Sequence, residues 1–109
     1  MTDIRGLYRH FKGGTYEVFG VCHWQKTNQD FVLYKPLYND TGLWIRLYSM
    51  FFSKVAIDGK LEDRFAFMEK TAGVIDEYKF RALHSETYDH IDIAQEPQGN
   101  FIIIMQKEI

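Results

Sequence analysis

The feature that most narrows the fold is alternation with a period of two, interrupted at short intervals by turn residues. Residues 43–48 are the clearest instance: Leu43, Ile45 and Leu47 fall on one side, and Trp44, Arg46 and Tyr48 on the other. That spacing belongs to a β-strand, whose successive side chains point to opposite faces. An amphipathic helix needs apolar residues three and four apart, and no segment sustains that spacing. Residues 16–23 repeat the strand pattern, with Tyr16, Val18 and Cys22 on one face and Phe19, Val21 and His23 on the other. Phe31-Val32-Leu33-Tyr34 is a short β-rich run that Lys35-Pro36 ends or bends, because proline lacks the ladder donor. Tyr78, Phe80 and Ala82 alternate with Glu77, Lys79 and Arg81, and Ile91 and Ile93 alternate with His90 and Asp92. Residues 101–105 are continuously apolar and rich in isoleucine, the pattern of a strand buried on both faces.

Between these runs lie Gly13-Gly14 and the polar stretches 26–30, 39–42 and 96–100. Asp58-Gly59, set between Val55-Ala56-Ile57 and Lys60-Leu61, is the strongest hairpin signal. Residues 64–67 extend the returning strand, with Phe65 and Phe67 facing the same way. Residues 49–52 predict one helical turn, and residues 68–72 another that ends at Gly73. About seven or eight strands at roughly 8–12-residue spacing predict a small all-β barrel or sandwich. The chain has 109 residues, and residues 1–109 read as a single domain. A chain of that length needs neither metal nor disulfides to fold, and its one cysteine, Cys22, reads as a small buried hydrophobe.

Charge narrows the functional classes. Thirteen basic and fifteen acidic residues give −2. Residues 1–50 carry six Lys/Arg against four Asp/Glu, or +2, and residues 51–109 carry seven against eleven, or −4. A nonspecific nucleic-acid binder shows a clearly basic face, so nucleic acid is disfavoured; a small basic pocket stays compatible with these numbers. No run approaches the ~20 apolar residues of a membrane-spanning helix, and no secretory leader pattern opens the chain. The expectation is a soluble, cytoplasmic protein without a membrane partner.

Two clusters carry candidate chemistry. The first is Tyr8-Arg9-His10-Phe11-Lys12-Gly13-Gly14, which sets three potential cations beside a glycine turn. Glycines let backbone N–H groups approach an anion, and arginine offers paired donors, so Arg9, His10 and Lys12 predict a phosphate, carboxylate or nucleotide site. The alternative is an edge strand entering a hairpin with its charges solvated. The second cluster is the Trp44/Arg46/Tyr48 face, where Trp44 could stack a ring and Arg46 pair an anion. Tyr34 and Tyr38 would line the same surface. The alternative is that C-terminal strands cover this face and bury Trp44.

Other chemistry is weakly represented. Cys22-His23, His10, His84 and His90 show no recognised metal-ligand spacing, and no cofactor is implied. His84-Ser85-Glu86 lacks a nucleophile elbow, and neighbouring strand residues face opposite ways. Asp89, His90 and Asp92 read as a solvated edge.

Residues 4–67 resemble a small bacterial family, domain of unknown function 1653. The resemblance rests on Gly6-Leu7-Tyr8-Arg9-His10-Phe11-Lys12-Gly13, then Tyr16, Val18, Gly20, Tyr34, Leu37-Tyr38, Trp44-Ile45-Arg46, Met50-Phe51, Val55, Gly59 and Arg64-Phe65, in order and spacing. It implies an SH3-like β-barrel over residues 1–67, with residues 68–109 as a C-terminal β-meander packed on it. It implies no activity. Two positions depart from the family pattern: Trp24-Gln25-Lys26-Thr27 stands where the family has His-Ser-Glu-Thr, and Leu47 replaces a proline. A His84-Ser85-Glu86-Thr87 run appears instead in the C-terminal part.

The expected function is a non-catalytic binding module for a small anionic or aromatic ligand or a partner segment, contacted by Arg9, His10, Lys12, Tyr34, Tyr38, Trp44 and Arg46. The alternatives are a protein-interaction or structural module, a small enzyme using His10 or His23 as acid–base group, and a single-strand nucleic-acid binder. Residues 101–105 would be an aggregation hazard on an open edge, so they pair either within the chain or across a homodimer.

Overall fold

A computed structural model describes residues 3–75, 79–84 and 90–106. Its elements are β1 (Gly6–His10), β2 (Thr15–Trp24), β3 (Gln29–Pro36), β4 (Leu43–Leu47), α1 (Tyr48–Phe51), β5 (Lys54–Ile57), β6 (Lys60–Asp63), β7 (Phe65–Glu69), β8 (Lys79–His84), β9 (His90–Gln95) and β10 (Phe101–Gln106). The main sheet runs β10-β9-β8-β4-β3-β2-β1-β7, and β10 also pairs with β2. That extra pairing closes β2, β3, β4, β8, β9 and β10 into a six-stranded barrel, which removes their open edges. The β4–β8 and β10–β2 ladders are parallel, and the others are antiparallel. An all-β fold with a closed barrel is expected from the sequence; the C-terminal meander, β8-β9-β10, supplies three of the barrel's six strands instead of packing on a barrel closed within residues 1–67. Glu77, Tyr78 and Asp89 lie outside the described residues, as does the Ser85-Glu86-Thr87 part of the histidine run.

β2 serves two partners along one edge. Its first half pairs with β1, Gly6 opposite Val18, and its end pairs with β10, Phe101 opposite Cys22. A bulge marks the changeover: Val18 faces Tyr34 and Gly20 faces Leu33, so Phe19 is one residue too many. The bulge corrects the simple alternation of residues 16–23. Tyr16, Val18 and Val21 face one core, while Phe19 and Cys22 face the other, because an inserted residue inverts the parity beyond it. Gly20 adopts φ +154°, and a Cβ there would stand 3.0 Å from the Phe101 ring. Glycine is what lets Phe101 seat against the bulge.

The wall formed by β2, β3 and β4 therefore separates two cores. On one side Phe19, Cys22, Phe31, Leu33 and Ile45 pack against Phe80, Ala82, Ile91, Ile93, Phe101, Ile103 and Met105 of the meander. On the other, Val18, Val32 and Tyr34 pack with Ile4, Tyr8, Phe51 and Phe65. Leu43 and Leu47 join the first core, and Trp44 and Tyr48 the second, as the alternation of residues 43–48 requires.

Three expectations are corrected. Residues 64–67 do not continue the hairpin strand. The β5–β6 hairpin stands as its own two-stranded sheet, while β7 pairs with β1. Residues 68–72 form no helical turn, because β7 continues to Glu69 opposite Leu7. The run 101–105 is buried on one face: Phe101, Ile103 and Met105 point inward, whereas Ile104 is 50% exposed. A strand in a closed barrel has one inner face, so only alternate residues are covered. β10 pairs within the chain, with β9 throughout and with β2 at Phe101 and Ile102.

Candidate functional site

At one end of the second core, β1 turns back on itself through Gly13-Gly14. The His10 N–H donates to the Gly14 carbonyl at 3.1 Å and the Gly13 N–H to the His10 carbonyl at 2.8 Å. Gly14 has φ +85°, and a Cβ there would lie 2.7 Å from the Tyr38 ring, so only glycine admits Tyr38 at this point. Tyr38 then reaches Tyr16, hydroxyl to hydroxyl at 2.6 Å. The Tyr16 ring also meets Tyr34 at 5.6 Å and Phe65 at 5.5 Å, both edge-on. Burial, and then the bond with Tyr38, pushes the Tyr16 phenol up, so it stays protonated.

His10 lies in this aromatic setting. Its half-buried ring is 4.5 Å from Phe11 and 4.8 Å from Phe65. Its Nδ1 accepts the Lys12 backbone N–H at 3.2 Å, which leaves the proton of the neutral ring on Nε2. Burial holds the His10 pKa below the ordinary imidazole value, and the positive charges of Arg46, Arg64 and Lys12 add to the effect. Imidazole is thus the neutral donor of the group, and the permanent charge comes from its neighbours.

The two arginines are each held by one side-chain bond, and all three cations lie near an aromatic ring. The Arg46 Nε donates to the Tyr34 hydroxyl at 3.3 Å, with the guanidinium 5.8 Å from the Phe65 ring centre. The Arg64 Nε donates to Ser53 Oγ at 2.9 Å, with the guanidinium 5.8 Å from the Phe11 ring. The Phe11 N–H bonds the Arg64 carbonyl at 3.0 Å, fixing this arginine beside the end of β1. The Lys12 ammonium lies 5.7 Å from the same Phe11 ring. Among the described residues no carboxylate pairs with Arg46, Arg64 or Lys12; the ion pairs are Arg5–Asp3, His23–Asp30 and Lys54–Asp63.

Of the residues expected at the site, His10, Lys12, Tyr34, Tyr38 and Arg46 come together. Arg9 does not: it is exposed and alternates with Tyr8 and His10 along β1, on the opposite face. Trp44 does not stack here either. It is half-buried against the second core, and its indole N–H donates to Thr41 Oγ1 at 3.0 Å. The C-terminal strands cover the other face of β4, so the reading that they bury Trp44 is corrected; Trp44 stands opposite Tyr34, on the face that carries Arg46. Arg64, Phe65, Phe11 and Tyr16 are additions. Arg64, Phe65 and Tyr16 carried the family resemblance, but nothing local to Arg64 places it beside His10. The β1–β7 ladder does that, by setting Phe65 opposite His10.

Fold and site together define a small all-β barrel protein with a basic, tyrosine-bearing cluster around His10. The family model described as Protein of unknown function (DUF1653) matches residues 6–67, and the chain belongs to that family. Every residue of the cluster lies inside the matched span. The crystal structure of a DUF1653 protein from Bordetella bronchiseptica is similar over 62% of this chain and 88% of that chain, at 29% sequence identity and a TM-score of 0.55. No curated protein matches the chain. Among the described residues no helix is long and apolar enough to cross a membrane.

Proposed function

We propose that this protein is a non-catalytic binding module for a small anionic ligand, seated on Arg46, Arg64 and Lys12 around His10. One observation carries the reading: three cations gather around His10, and no described carboxylate pairs with them. Clustered like charges repel, and without a counter-charge they favour a bound anion. The hydrogen-bonding groups point the same way. Each guanidinium gives its Nε–H to a hydroxyl and keeps its terminal N–H groups for another acceptor. His10 adds an Nε2–H, so donors outnumber acceptors. The cations lie over the Phe11 and Phe65 rings, which favours an anionic over a purely aromatic ligand. His10 has no carboxylate to orient it and no nucleophile bonded to it among the described residues, which favours binding over catalysis.

The test is a thermal-shift and calorimetric screen at low salt with inorganic phosphate, nucleoside monophosphates and di- and tricarboxylates. A ligand at ~100 times its Kd stabilises by about 2.7 kcal/mol, several degrees in a domain of this size. Arg46→Ala and Arg64→Ala are each expected to weaken the best hit by about tenfold or more, as loss of a charge-assisted bond implies, with the fold retained. Unchanged affinity in both variants would overturn the reading.

A further inference from the structure

A second cavity, of about 580 Å³, opens where β2 leaves β1 and takes up β10. Its size falls within the range of small-molecule sites. Phe19 and Gly20 of the bulge, Val21 and the start of β10 line it, and the turn at residues 96–100 borders it. That turn and β10 lie beyond residues 6–67, so the C-terminal meander completes this cavity.

The cations on its wall are already matched. Arg5 donates from Nε and Nη2 to Asp3 at 3.0 and 2.9 Å and from Nη1 to the Ala72 carbonyl at 2.8 Å. His23 Nδ1 bonds Asp30 Oδ1 at 2.7 Å across the β2–β3 ladder, so this pair is satisfied within the wall. The polar side chains left open are the amides of Gln25, Gln98 and Asn100 and the carboxylate of Glu96. An amide both donates and accepts, and the Glu96 carboxylate accepts. The wall thus calls for a ligand whose groups can donate and accept alike, and it offers no uncompensated cation to an anion. This is the reverse of the His10 cluster. Hydroxyl groups have that dual character. We propose that this cavity binds a neutral polyhydroxylated small molecule, independently of any anion at His10.

The test is a titration of the isotope-labelled protein with a neutral pentose, a hexose and a hexitol, each to about 50 mM, enough to detect a millimolar complex. Inorganic phosphate and an alkylammonium salt serve as controls. Amide shifts are expected at Gly20, Val21, His23, Gly99, Asn100 and Phe101 with at least one polyol, and not at His10 or Phe11. Gln98→Ala combined with Asn100→Ala is expected to weaken that polyol about tenfold. Should the double variant fail to fold, Gln98→Ala alone, at an exposed turn position, is expected to weaken it severalfold. The proposal is overturned if no polyol moves the cavity amides, if only the phosphate or ammonium control does, or if the folded variant binds unchanged.

Discussion

The two faces of the β2–β3–β4 wall solve the same burial problem with different chemistry. Toward the meander stand Cys22, Phe31, Leu33 and Ile45 against Ile91, Ile93 and Ile103, with no hydroxyl or charge in the cluster. Burial pushes the Cys22 thiol up, so even that group stays neutral. Toward β1 and β7 stand Tyr34 and Tyr8 with Phe51 and Phe65, and Tyr16 and Tyr48 pack at the margin. Each buried tyrosine needs a partner for its hydroxyl: Tyr8 donates to the Ile4 carbonyl at 2.9 Å, and Tyr34 accepts from Arg46. Six closed strands seal the first core. The second core continues into a rim where tyrosines and arginines meet solvent. The sealed core and the proposed anion site thereby fall on opposite sides of one sheet, and a residue's parity on β2, β3 or β4 decides which side it faces.

Removing residues 71–109 should have the largest effect, since it strips the cover from Cys22, Phe31, Leu33 and Ile45. The truncated chain is expected to lose its cooperative thermal transition and to aggregate, read by calorimetry and light scattering. A soluble, folded truncation would show that the first core is dispensable. Next comes Phe51→Ala, which deletes a fully buried ring stacked on Phe65 at 4.0 Å. It should cost about 3–5 kcal/mol in urea unfolding and also weaken anion binding, because Phe65 lies under Arg46. Ile93→Ala, equally buried but in the sealed core, should cost about 2–5 kcal/mol and leave anion affinity unchanged. Equal effects on affinity would erase the distinction between the two sides. Gly20→Ala, at positive φ against the Phe101 ring, should cost about 1–3 kcal/mol by the same unfolding assay.

The smallest expected effect is in pH dependence. His10 is held below the ordinary imidazole value of 6.5 in the fold, chiefly by burial. Below that pH the unfolded chain takes up a proton that the folded protein resists. Its contribution to stability is therefore full above about pH 6.5 and declines as pH falls below it, until His10 protonates in the fold as well. His10→Gln should flatten the slope of the urea midpoint between about pH 7 and 5 relative to the parent. An unaltered slope would remove His10 from the account.

The strands and the hairpin were legible because alternation and turn chemistry are local. Residues 43–48 divide between the two cores as read, and Asp58 and Gly59 both take positive φ, 50° and 80°, as a tight hairpin turn requires. Five residues of the cluster were legible as cationic or tyrosine-bearing positions: His10, Lys12, Tyr34, Tyr38 and Arg46. Alternation already sets Arg9 on the face opposite His10, and for Trp44 the local pattern is the same whether an aromatic on a strand meets a ligand or packs a core. Arg64 was missed because its place beside Phe11 depends on a strand pairing distant in sequence.

By itself, then, the sequence determined where the chain extends and where it turns, and which side chains share a face within an uninterrupted strand. Those properties follow from backbone sterics and a period of two. Only the tertiary structure decided that β2 bulges at Phe19 and inverts its faces, that β10 closes a barrel with β2, and that β7 carries Arg64 to His10. Each depends on which strand lies beside which, and pairing is settled by the joint burial of both cores, a property no short window of residues contains.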